Sequence, residues 1–208
     1  MGGVFMMKIW KRVLICCIIA GISWTVGLLK DRNTLKEGLI RFHVVANSDS
    51  KEDQSIKYKV RDAVLCSIQS DLAEIRDVEK AKAYLQENLP KIRILVDQTL
   101  QELDFKGGSK VTLSKESFCL RRYDTFSLPA GVYESLRIVI GEGAGKNWWC
   151  VSFPTLCLPE TGSGFKDTAV SAGFSQPLTD TLAGNGEYKI RFYVLNQLGK
   201  LENIFFGE

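Results

Sequence analysis

His43 is the only histidine of the chain, and Ser48, Asp49 and Ser50 lie within seven residues of it. Those residue types could build a nucleophilic site, with the imidazole as base beside a hydroxyl or a carboxylate. The spacing argues for something simpler. The Gly-x-Ser-x-Gly elbow that exposes a nucleophilic serine is absent. Asn47-Ser-Asp-Ser50, placed just before a helical pattern, is what helix capping or a partner contact requires. His43 therefore reads first as a sheet-face or surface-binding residue, and second as the base of an exported hydrolase. A lone histidine also excludes the usual zinc sets, and Cys150-x6-Cys157 does not have zinc-knuckle spacing. No catalytic residues, metal ligands or cofactor are expected.

Gly141-Glu-Gly-Ala-Gly-Lys146 has the look of a phosphate loop. The Walker pattern, however, needs glycine where Ile140 stands and a hydroxyl where Asn147 stands. A β-like run follows it, so no helix N-terminus would face a phosphate. A glycine-rich hairpin is the expected structure. Trp148 and Trp149 must then point to opposite faces of the strand, one into the core and one available as a binding hot spot. Cys150 and Cys157 would stand over ~20 Å apart if extended, and a disulfide needs Cα atoms within ~7 Å. A Cys150–Cys157 bridge thus requires the chain to fold back, and Pro154 is placed to help. Cys66, near the apolar edge of a helical pattern, is expected to be a small buried hydrophobe.

These residues need elements to position them. Leu39 to Ala46 alternates as a strand, with Ile40, Phe42, Val44 and Ala46 on one face and Arg41, His43 and Val45 on the other. Beyond the Asn-Ser-Asp-Ser turn, Ile56, Val60, Ala63, Val64, Ile68 and Leu72 recur at helical spacing. Asp49 with Glu52, or Ser50 with Asp53, would cap that helix. Asp53, Lys57 and Arg61 follow at four-residue steps on what reads as its outer side. A second helical stretch runs from Val78 to Leu103, either kinked or divided at Pro90, with Asn88 available to cap a second piece. After Gly107-Gly-Ser the pattern turns β-like in the runs 110–115, 117–123, 133–140 and 148–153, with a turn at Leu128-Pro-Ala-Gly131. Residues 158–186, rich in Gly, Ser, Thr and Pro, are expected as a long, partly ordered loop, and Tyr188 to Leu195 as a strand or the beginning of a helix. Helices first and strands later indicate an α+β fold. The expected fold is a single exported domain with an antiparallel or mixed sheet, two or three helices on a face, behind an N-terminal hydrophobic helix.

That N-terminal helix has its own signature. Val13 to Leu29 is uncharged, with Lys8, Lys11 and Arg12 before it and Lys30 after it. Residues 1–30 are a signal peptide or membrane anchor by length and flanking charge, with the basic end cytoplasmic and 31–208 exported. Cleavage stays open, since a small-x-small site is poorly formed. The chain has 27 Lys and Arg against 24 Asp and Glu. Four of the basic residues lie in the first 30, so the exported part is near neutral. No basic stripe points to nucleic acid.

The ordered set His43, Ala46-Asn-Ser-Asp-Ser50, Asp53, Gln54, Lys57, Val60-Arg-Asp62, then Leu128-Pro-Ala-Gly131, Tyr133, Leu136-Arg-Ile138, Gly141, Gly143, Asn147-Trp-Trp-Cys150, Pro154 and Cys157 resembles the stage II sporulation protein R family. The resemblance covers about residues 38–157. It implies a non-enzymatic signal made in the forespore and exported to the space between forespore and mother-cell membranes. There it would activate a membrane-embedded aspartic protease, the stage II sporulation GA protein, which processes pro-sigma-E. The partner-contact residues expected on the two dense segments are His43, Asn47, Asp49, Lys57, Arg61 and one of Trp148 or Trp149. The alternatives are the exported hydrolase using His43, or a structural cell-envelope protein. No small-molecule substrate is expected.

Overall fold

The computed structural model describes residues 2–155, 164–184 and 189–206. An N-terminal helix α1 (Gly2–Gly38) leads into strand β1 (Ile40–Val45). Helices α2 (Lys51–Glu74) and α3 (Val78–Glu102) follow, then β2 (Ser109–Phe118), the short pair β3 (Arg121–Arg122) and β4 (Ser127–Leu128), and strands β5 (Gly131–Ile140) and β6 (Asn147–Phe153). Three further helices close the chain: α4 (Gly164–Ser171), α5 (Gln176–Leu182) and α6 (Lys189–Phe206). This is the expected α+β fold.

The main sheet has the order β2-β5-β1-β6. β1 lies between β5, to which it is parallel, and β6, to which it is antiparallel, so the sheet is mixed. The alternation of β1 decides how the layers form. Ile40, Phe42 and Val44 pack with Leu136, Ile138 and Ile140 against the apolar stripes of α2 and α3, including Val60, Val64, Leu85 and Val96. Full burial of each such side chain contributes roughly 1.5–3 kcal/mol. Ser50 caps α2, its hydroxyl accepting from the Asp53 amide at 3.0 Å, which selects the Ser50 and Asp53 pairing from the two foreseen. α3 runs unbroken through Pro90, and Asn88 donates back to the Tyr84 carbonyl instead of capping a second helix.

The opposite sheet face is also covered. Phe118, Tyr133 and Val151 pack there with Phe165, Ala169, Leu178, Leu182 and Leu195 from α4, α5 and α6, and with Leu28 and Leu35 from α1. Helices therefore flank both faces. The stretch 158–186 is not simply a loop, because α4 and α5 form within it. Their apolar residues are too few to show a period in sequence but enough to bury against this face. Ser175 caps α5 and Pro177 sits in its first turn, where a missing N–H costs nothing. Of the two readings of 188–195, a strand or the beginning of a helix, the structure has the helix, α6 from Lys189 onward. Gly199 allows α6 to pack against the Leu128–Gly131 turn, since a Cβ there would lie 1.6 Å from the Ala130 carbonyl oxygen.

Candidate functional site

The glycine segment is not a hairpin between paired strands. β5 and β6 are consecutive in sequence, but β1 stands between them. The 141–146 connection must therefore arch over the C-terminal end of β1, two strand spacings or about 10 Å across. The Asn47–Ser50 turn leaves β1 directly beneath this arch, and the two are bonded together. Gly145 N–H donates to the Ala46 carbonyl (2.9 Å) and Ala144 N–H to the Asn47 carbonyl (3.0 Å). Asn47 Oδ1 accepts from the Glu142 amide (3.0 Å), and Asp49 Oδ1 from the Lys146 amide (2.7 Å). A Cβ at Gly145 would meet the Ser48 carbonyl oxygen at 2.2 Å, and one at Gly141, where φ is +55°, would meet Asn47 Oδ1 at 2.3 Å. The amides that a phosphate loop would offer are thus already donated to the neighbouring turn.

Asp53 gathers the turn from below, accepting from Asn47 Nδ2 (2.9 Å) and Ser48 Oγ (2.5 Å). Those side-chain bonds, Ser48's foremost, hold its carboxyl below the usual range. Lys57 corrects the outer-face expectation, since it is 2 % exposed. Its ammonium donates to Gln54 Oε1 (2.5 Å) and to the Lys146 carbonyl (3.0 Å), so it fastens α2 to the arch. Burial lowers its pKa, partly opposed by Asp49. The periodicity of α2 placed Lys57 outside because the pattern cannot show that the arch descends over that side.

Beside the arch lies the exposed part of the two segments. The Arg61 guanidinium stacks over Tyr58 (4.8 Å) and Trp148 (5.0 Å) and pairs with Asp62. Tyr58 is 43 % exposed, and Asp49 on the turn and Glu142 and Lys146 on the arch are exposed as well. Tyr58 was missed in the sequence; its place three residues before Arg61 on one helix face was the available signal. A guanidinium between two aromatic rings is a common form of protein-contact hot spot.

His43 and Trp149 belong elsewhere. Both are on the opposite sheet face, with the His43 ring stacked on Trp149 at 4.5 Å and its Nε2 2.7 Å from Glu116 Oε2. Burial would raise the Glu116 carboxyl, but the His43 bond and charge and the charge of Arg137 outweigh it and hold it below the usual range. Arg121 covers the other side of Trp149 at 4.4 Å. His43 is buried, so it is a sheet-face residue and not an exposed contact. Its hydrogen bond goes to the Glu116 carboxylate, whereas Ser48 and Ser50 bond within the capped turn, so neither serine is brought to His43. The two tryptophans do point to opposite faces, Trp148 edge-on to Phe42 in the α2–α3 core, and each is half-buried. Cys150 is buried, while Cys157 lies outside the described residues, as does 156–163 as a whole. Cys66 is exposed, against the buried position expected for it.

Among the described residues, α1 carries one stretch, Ile9–Gly38, long and apolar enough to cross a membrane, as a signal peptide or an anchor would. The family model for stage II sporulation protein R matches residues 36–163, which contain the whole sheet together with α2 and α3. The chain is 33% identical over 166 residues to the stage II sporulation protein R of Bacillus subtilis (strain 168), covering 74% of each chain. No solved structure matches it. With a family match over more than half of its length and a relative one-third identical over most of both chains, the chain belongs to the stage II sporulation protein R family.

Proposed function

We propose that this sporulation protein is an exported activating ligand for the membrane-embedded aspartic protease of the mother-cell membrane, the stage II sporulation GA protein, and that it thereby starts processing of pro-sigma-E. α1 exports it from the forespore or anchors it there. In the space between the two membranes its folded domain binds the protease and favours the active state, because it binds that state better than the inactive one. The chain contributes binding energy and no turnover.

The observation that carries this reading is the Tyr58–Arg61–Trp148 group beside a rigid arch. Its rings and guanidinium are held in place before any partner arrives, which lowers the ordering cost of binding. Asp49, Glu142 and Lys146 supply a polar rim. Asn47 and Lys57 act by holding the arch, and His43 and Trp149 by building the sheet's other face.

The test is to combine purified full-length chain, protease and pro-sigma-E in vesicles and to titrate the chain. Processing should saturate near one chain per protease. Arg61→Glu should raise the chain concentration needed by about tenfold or more, as loss of a hot-spot residue of about 1.4–2 kcal/mol does. Traces of chain that activate a full complement of protease, with activity persisting after their removal, would show a catalyst instead of a ligand.

A further inference from the structure

α6 is apolar on two faces. Leu195 is buried, Gly199 packs against the Ala130 carbonyl and Asn196 Oδ1 accepts from the Ala130 amide, so one face is seated on the domain. The opposite face carries Ile190, Tyr193, Leu201 and Ile204 with Phe205 beside them, all between 53 and 79 % exposed. Four of these fall on one stripe at helical spacing, and exposed Lys189 and Lys200 flank it. This helix lies beyond the residues 36–163 that match the family.

Its contacts with α1 say what covers the stripe. Arg191 pairs with Asp31 at 2.5 Å, and Glu202 pairs with Arg32 at 3.0 Å and with Lys36. Arg191 and Glu202 are eleven residues apart, about 16 Å along a helix, whereas their partners fall within five residues, about 7 Å. α6 therefore crosses α1 steeply, beginning where the apolar segment of α1 meets the domain. Gly27, on that segment, would place a Cβ 3.6 Å from Arg191 Nη2. Val26 and Leu29, on the same turns of α1 as Gly27 and Asp31, are exposed apolar residues, so the N-terminal end of α6 lies at the level of the apolar segment's exit. A helix that steeply crosses a membrane-spanning helix at its exit lies near the membrane plane.

We infer that α6 is an interfacial helix that rests its Ile190–Tyr193–Leu201–Ile204 face on the lipid surface from which α1 emerges. Lys189 and Lys200 reach the headgroups, and Tyr193 sits at the level where aromatic side chains concentrate. The domain is thereby held at a set tilt, in contact with the bilayer, with α1 as a retained anchor. This orientation fixes which way the domain presents its surface to a partner across the intermembrane space.

The full chain, reconstituted into phosphatidylglycerol–phosphatidylethanolamine vesicles containing a headgroup-proximal diazirine lipid, tests this directly. After irradiation and trypsin, mass spectrometry should find lipid adducts on the peptides that begin at Phe192 and at Leu201, as well as on α1. Tyr193→Glu with Ile204→Glu, both at exposed positions, should reduce the α6 adducts by about tenfold or more and leave those of α1 unchanged. α6 peptides free of adducts, whether or not α1 is labelled, overturn the inference. So do α6 adducts unaffected by the double substitution, or a chain that dimerises through this face in vesicles and shields it from lipid. The readout involves no protease, so its failure is separate from failure of the ligand reading.

Discussion

Lys57→Glu should unfold the protein or come close to it, and Arg61→Glu one turn further along the same helix should not. The Lys57 ammonium makes two hydrogen bonds, to Gln54 Oε1 and to the Lys146 carbonyl, in a buried setting. Bonds of this charged kind contribute about 1.5–3 kcal/mol each. Lys57→Met keeps the apolar stem and loses both donors. The Gln54 amide is half-buried and regains water, so the loss is about 2–4 kcal/mol. Lys57→Glu also sets a carboxylate against two acceptor oxygens, raising the loss to about 4–6 kcal/mol. Typical domains have only about 5–15 kcal/mol in total. Arg61, partly exposed and paired with exposed Asp62, should cost less than about 1 kcal/mol on reversal. Urea titration of the full chain in detergent, followed by far-ultraviolet circular dichroism, measures all three midpoints. The reasoning is refuted if Lys57→Glu melts within about 1 kcal/mol of the parent, since the arch would then not depend on the ammonium beneath it.

Gly145→Ala should lose about 2–4 kcal/mol and lift the arch, because its methyl would overlap the Ser48 carbonyl; amide hydrogen exchange at Ala144 and Lys146 should rise well above that of β1. The Glu116 carboxyl titrates below its ordinary range in the folded chain, so its contribution is complete above that range and is lost as pH falls through the folded value. Glu116→Gln should accordingly lower stability at neutral pH by about 1–2 kcal/mol and by little once the carboxyl is protonated in the folded chain, as midpoints across pH would record. A Cys150–Cys157 bridge, worth ~2–3 kcal/mol by loop entropy, should appear in non-reduced peptide mass spectra of exported protein; two free thiols there would leave these cysteines to packing alone.

Local pattern was enough for much of this protein. The alternation of residues 40–45, a helix cap within the Asn47–Ser50 turn, the 3.6-residue stripe of α2 and the apolar N-terminal run each follow from the residues in one short window, because period and capping are local physics. The ordered motifs were legible too, and they placed the chain in its family. What they do for one another was not. A hairpin and an arch have the same glycine-rich sequence, and the choice depends on whether another strand lies between β5 and β6. Once β1 occupies that position, Asn47, Asp49 and Lys57 become the supports of the connection above them. Exposure at 57 was misjudged for the same reason, since helical periodicity records which side is polar but not what settles over it. His43 likewise looked chemically promising from its neighbours in the chain, whereas its neighbours in space are Trp149 and Glu116. α4 and α5 bury few apolar residues each, too few to show a period. Their positions follow only from the second sheet face that had to be covered, a demand set by the whole fold and written in no single segment.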